Sequence, residues 1–127
     1  MHDAPSPAEL ISAVKSFIDD TAAPQLTGHA AFYARVASNV LSTLLREIEQ
    51  RPAAEAEELA GLKALLGTQA GDSIQSLNRT LCEQLRTGSM SISTPGLLEH
   101  LKTTTIAQLS IDQPQYSGLK AARAPRS

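Results

Sequence analysis

Arg35, Asn39, Ser42 and Arg46 follow one another at spacings of four, three and four, the repeat that lines residues along one side of an α-helix. Two guanidinium groups with an amide and a hydroxyl between them could hold a carboxylate or a phosphate, anchor a chain terminus, or dock on an acidic protein surface. A plain solvated helix face has the same pattern, and both readings stand at this point. A second candidate set, Asp112, Pro114 and Tyr116, lies where a helical sequence gives way to a turn-forming one. Pro114 lacks a backbone N–H and disfavours helical backbone at Gln113, so a helix must stop near Ile111. Tyr116 then stands in turn or extended backbone, to pack on its own chain or on a partner.

Catalytic and metal-binding patterns do not emerge. The chain has no glycine-rich phosphate loop followed by Lys and Ser or Thr, no dinucleotide fingerprint, no Gly-x-Ser-x-Gly elbow and no paired histidines at helical spacing. Nothing in the sequence gathers His2, His29 and His100 into one place. Cys82 follows Leu81 at the edge of an apolar face and is expected as a buried, inert thiol. Asn78-Arg-Thr80 matches a glycosylation pattern but falls inside a predicted helix of a chain without a secretion signal. Catalytic residues, metal and cofactor are all expected to be none.

Those candidates need helices to position them. Apolar residues form 42% of the 127 and charged residues 19%, so the chain can build a core, but with 3% aromatics that core must be aliphatic. Ser6-Pro7-Ala8-Glu9 reads as a capping box opening a first helix that ends near Asp20. From about His29 to Gln50, Tyr33, Val36, Ala37, Val40, Leu41, Leu44, Leu45 and Ile48 mark a broad apolar band, which predicts a central helix covered by several others. Pro52 should break it. A third helix runs from about Ala53 to Leu66, and a fourth is capped by Asp72 and closed by Gly88. Thr94-Pro95 opens a fifth, with Leu97, Leu98, Leu101, Ile106 and Leu109 inside; Met90 and Ile92 tuck down from the loop before it.

The predicted fold is therefore all-α: a bundle of about five helices with a short non-helical C-terminal segment. Residues 1–118 form a single helical domain, and 119–127 a flexible tail. A net charge of -2 argues against nucleic acid as a partner. One cysteine, no signal-like start and no long apolar run point to a cytoplasmic protein that does not enter membranes.

Four segments taken in order carry a resemblance: Met1-His-Asp-Ala-Pro5 with Pro7-Ala-Glu-Leu-Ile11, Ala34-Arg-Val-Ala-Ser-Asn-Val-Leu41, Leu77-Asn-Arg-Thr-Leu-Cys82 and Ile111-Asp-Gln-Pro-Gln-Tyr-Ser117. Together they resemble a small bacterial family catalogued as a domain of unknown function, whose members accompany acyl-CoA dehydrogenases and kinases similar to aminoglycoside phosphotransferases. The resemblance implies a non-catalytic accessory subunit of a kinase that phosphorylates hydroxyacyl-CoA, as in bacterial levulinate breakdown. The partner it implies is the kinase, with an acyl-CoA dehydrogenase as a second candidate; self-association is left open. It transfers no catalytic residue, so Arg35, Asn39, Ser42, Arg46, Asp112, Pro114 and Tyr116 are expected as contact residues. A competing expectation is a small-ligand module that takes CoA or an acyl group through Arg35 and Arg46.

Overall fold

A computed structural model describes residues 4–67 and 73–124. The fold is all-α, with five α-helices and no strand among the described residues. α1 (Pro7–Phe17) runs into a π-helical turn (Ile18–Ala22) and a 3₁₀ turn (Ala23–Gln25); α2 (Gly28–Leu66), α3 (Ile74–Thr87), α4 (Leu97–Asp112) and α5 (Ser117–Arg123) follow. The sequence reading treats 1–118 as one domain; the chain's contacts gather into two compact units, Met1–Arg51 and Pro52–Ser127.

The helix starts show how local chemistry works here. Ser6 caps α1, its hydroxyl accepting the Glu9 amide at 3.2 Å with Pro7 at the first helical position. Ser73 caps α3 by accepting the Ser76 amide at 3.0 Å. The cap predicted at Asp72 falls on a residue outside those described. α4 begins at Leu97, not at Thr94. The Thr94 hydroxyl is turned back to accept the Ser91 amide, and Leu97 N–H donates to Thr94 O across Pro95 and Gly96. With φ +86° at Gly96, this is a type II turn, which needs Gly at its third position. Gly88 ends α3 in the left-handed region, as its sequence position predicts.

Two predicted helices are one. α2 continues through Pro52, which costs a backbone hydrogen bond and typically about 3 kcal/mol in a helix interior. On one side Arg51 makes a two-pronged bond to Glu47 at 2.7 and 3.0 Å. On the other runs Ala53-Ala-Glu-Ala-Glu-Glu-Leu-Ala60, nearly all strong helix formers. The helix count stays at five because α5 appears where a flexible tail is predicted from residue 119.

The non-helical backbone between α4 and α5 is thus 113–116. Leu119 is 1% exposed, α5 packs on α4, and the Arg123 guanidinium donates to Ser110 Oγ. A buried leucine and a charge-assisted bond hold a helix too short to persist alone. Residues 125–127 of that predicted tail lie outside the described ones.

The second unit has the core: Leu62, Leu77, Leu81, Met90 and Leu97, backed by Leu59, Leu65, Leu66 and Ile74. Asn78 on α3 donates its amide to Glu58 on α2 at 3.0 Å, tying two helices beside that core. Met90 turns in as predicted, whereas Ile92 is 77% exposed. On α4, Leu97 and Ile111 are buried, while Leu98 and Leu101, predicted inside, are exposed. Cys82 is also exposed, because one step past Leu81 rotates it about 100° off the narrow buried stripe of α3.

Candidate functional site

The predicted contact residues fall into two sets, one in each unit. On α2 in the first unit, Arg35 and Asn39 are exposed and Ser42 and Arg46 half-buried. Arg46 folds along its own helix, donating to Thr43 Oγ1 at 3.1 Å; that hydroxyl in turn donates to the Asn39 carbonyl at 3.2 Å. The stripe is therefore partly engaged by local bonds. Arg35 stands at its solvent end.

In the second unit, Asp112, Pro114 and Tyr116 share the corner between α4 and α5. Asp112 accepts from Gln108 Nε2 at 2.5 Å, and Tyr116 N–H donates to Gln113 O at 2.9 Å, closing the turn around Pro114. The Tyr116 ring lies over Gly118, where an added Cβ would come within 2.7 Å of it. Half of the residue still faces solvent. Beside it, Lys120 and Arg123 contribute to an open cleft of about 410 Å³.

The structure adds a linkage that the sequence reading missed. Lys15 Nζ donates to Asp19 Oδ2 at 2.6 Å, and Ser38 Oγ on α2 donates to Asp19 Oδ1 at 2.5 Å. Ser38 is the buried polar residue of this unit, 6% exposed. The hydrogen bond from Lys15, then that from Ser38, holds the Asp19 carboxyl below its ordinary range against a smaller opposing desolvation. The π-helical turn carries Asp19, and its wider winding marks the place where α1 is joined to α2. Lys15 and Asp19 are four apart and could have been paired from sequence; Ser38, nineteen residues on, could not.

A further cleft of about 350 Å³ in the second unit holds Glu57, Glu99 and His100 above Ala64 and Leu65. His100 lies against Gly61: a Cβ there would overlap Nδ1 and sit 2.9 Å from Cε1. The absence of a side chain at Gly61 lets an imidazole from α4 rest on the α2 backbone. Among the described residues no group of three His, Cys, Asp or Glu side chains could hold a metal ion. No helix among them is long and apolar enough to cross a membrane.

The first unit also exposes large apolar side chains. Leu10, Val14 and Phe17 on α1, Leu26 after it, and Phe32, Tyr33, Val36, Val40, Leu44 and Ile48 on α2 all stand between 38% and 65% exposed. The apolar band predicted to be covered by several helices is instead open along Tyr33, Val36, Val40, Leu44 and Ile48, with Ala37, Leu41 and Leu45 half-buried. At about 100° per residue, Tyr33, Val36, Val40, Leu44 and Ile48 occupy the side of α2 opposite Arg35, Asn39, Ser42 and Arg46. One helix thus carries an apolar face and a polar face, and each offers contact area.

Residues 24–116 match the family model described as Domain of unknown function (DUF6285). The chain belongs to this family. The matched stretch spans α2, α3 and α4 and ends at Tyr116, leaving α1 and α5 outside it. No curated protein and no solved structure gives a significant match to the chain.

Proposed function

We propose that this DUF6285 member is a non-catalytic accessory subunit of a kinase similar to aminoglycoside phosphotransferases, acting on hydroxyacyl-CoA in cytoplasmic acyl-CoA catabolism. The observation that favours an association-dependent role is the apolar face of α2 in the first unit, where Tyr33, Val36, Val40, Leu44 and Ile48 stand partly in solvent. Apolar side chains gathered on one exposed helix face are a mark of protein contact. Phosphoryl transfer needs a nucleotide cradle, metal-binding carboxylates and a base, and in this reading all three belong to the kinase. The polar stripe from Arg35 to Arg46 and the corner of Asp112, Pro114 and Tyr116 are the surfaces it would engage; an acyl-CoA dehydrogenase is a second candidate partner.

Co-expression with such a kinase from the same genome tests the reading. The expected result is a co-purifying complex whose hydroxyacyl-CoA kinase activity falls at least tenfold when this subunit is omitted. Separate elution with unchanged activity would overturn it. In the complex, Arg35→Ala with Arg46→Ala should weaken association while leaving the helical circular dichroism signal intact.

A second reading, a binding module for CoA or its acyl portion, draws support from the cleft where Lys120 and Arg123 flank Tyr116. Two cations beside an aromatic ring suit a phosphorylated ligand with a flat ring system. Titration calorimetry of the isolated chain with CoA thioesters discriminates: binding heat abolished by Lys120→Ala supports it, and no heat and no thermal shift rule it out.

A further inference from the structure

We infer that the cleft at the α4–α5 corner is a nucleotide site: Tyr116 takes the flat base, Lys120 and Arg123 take phosphate, and nothing in it reads an acyl chain. The inference rests on the CoA-binding reading for its ligand and narrows it to the nucleotide half of that molecule.

Charge separates this cleft from its neighbours. Glu57 and Glu99 line the one beside His100, Glu99 the one beside Lys102, and Glu58 the one beside Gln108. No acidic side chain among the described residues lines the one beside Tyr116. Carboxylates repel phosphate, so this is the cleft suited to it. Its cations are placed in advance. Arg123 donates through Nη2 to Ser110 Oγ, and that hydroxyl donates to Ile106 O at 2.6 Å. One guanidinium nitrogen is thereby tied to α4, while the fork keeps further N–H groups for a phosphate oxygen. Lys120 stands three residues earlier on α5, on the same side of the helix, and has no ion pair among the described residues.

Tyr116 supplies the platform. An added Cβ at Gly118 would meet its Cε1 at 2.7 Å, with Cζ and Cδ1 farther off at 3.4 and 3.5 Å, so the ring is seated against α5 where a side chain would collide with it. It is 52% exposed, which leaves ring surface for a base to stack on. A pantetheine arm or acyl chain finds no such reception. The aliphatic side chains of the cleft are Pro114 and Leu119, and Leu119 is 1% exposed. Held by its nucleotide end, an acyl-CoA would present the acyl group outward, where a partner enzyme can reach it.

Titration calorimetry of the full chain tests this with four ligands: adenosine bisphosphate (the nucleotide half of CoA), acetyl-CoA, pantetheine and ATP. Adenosine bisphosphate should bind within about threefold of acetyl-CoA, and pantetheine should give no heat. Lys120→Ala should weaken adenosine bisphosphate by at least about tenfold, through loss of a charge-assisted contact. Tyr116→Leu should weaken it about fivefold to tenfold, while Tyr116→Phe, which keeps the ring, binds like the wild type. Both positions are exposed, so the circular dichroism of each variant should be unchanged. Acetyl-CoA binding that pantetheine competes away and adenosine bisphosphate does not overturns the inference and leaves the CoA reading standing. ATP binding about tenfold or more tighter than both CoA-derived ligands, and lost on Lys120→Ala, upholds the nucleotide site and refutes the CoA reading. Heat from none of the four overturns both, and affinities unchanged by Lys120→Ala and Tyr116→Leu overturn the inference.

Discussion

Among the described residues, unit two hides Leu62, Leu77, Leu81, Met90, Leu97, Ile111 and Leu119 from water, whereas unit one buries no large apolar side chain and exposes ten. The two have comparable stocks of Leu, Ile and Val, so composition does not separate them; the number of helices available to cover each face does. Three helices and a segment of α2 can enclose side chains from several directions. α1 and the remainder of α2 leave one apolar side open however they pack, because two cylinders meet along a single line. What holds unit one is correspondingly polar: Lys15, Asp19 and Ser38 form the link between its elements. A core that is complete carries stability, and one that is half-built leaves apolar surface in solvent.

The sharpest way to break this contrast is to cut the same kind of side chain from both units. Leu77→Ala should destabilise the chain by about 2–5 kcal/mol in chemical denaturation, as a fully buried leucine leaves a cavity. Val40→Ala should change stability by no more than about 0.5 kcal/mol. Similar losses at both positions would mean that unit one has a hidden core after all.

A mid-sized effect is expected at Gly61. Alanine normally stabilises a helix by roughly 1 kcal/mol over glycine, but here its methyl would collide with His100, and overpacking costs about 1–3 kcal/mol. Gly61→Ala should therefore be net destabilising by about 1 kcal/mol, and adding His100→Ala should recover at least that much. A stabilised single variant would show that the imidazole swings away freely.

Effects confined to one helix belong to the polar link. Ser38→Ala should cost about 1 kcal/mol and speed amide exchange in α1 more than in α3. Asp19 has a lowered carboxyl pKa, through Lys15 first and Ser38 second, so its contribution is fully present above the ordinary carboxylate range. It is lost as pH falls through the depressed folded value. Asp19→Asn should flatten the low-pH arm of α1 amide exchange and leave α3 unchanged.

Much of the fold was legible in sequence because its signals are local. Ser6-Pro7, Gly88 and the leucine stripe of α3 act within one or two turns, and each appears where its chemistry predicts. Most of what failed to read through depends on partners distant in the chain, Pro52 being the local exception. Pro52 stays inside α2, between the Glu47–Arg51 pair before it and a run of strong helix formers beyond it. α5 carries a single large apolar residue, Leu119, too few to show a period, and its order comes from α4. The band from Tyr33 to Ile48 is apolar in sequence whether a chain covers it or solvent does. For the same reason the polar stripe could be located from spacing alone, while the Ser38 contact behind it could not.

The helix at 117–123 has a practical consequence for how this family is cut. A fragment ended at Tyr116, the last residue of the family match, would keep all of α4 yet discard Leu119 and the Arg123 that reaches back to Ser110. Such a truncation strips a lid from otherwise native helices, and what it exposes is the greasy flank of α4. Poor solubility of that fragment would then report a misplaced scissor mark, and a boundary drawn after Ala124 is the one that keeps the second unit sealed.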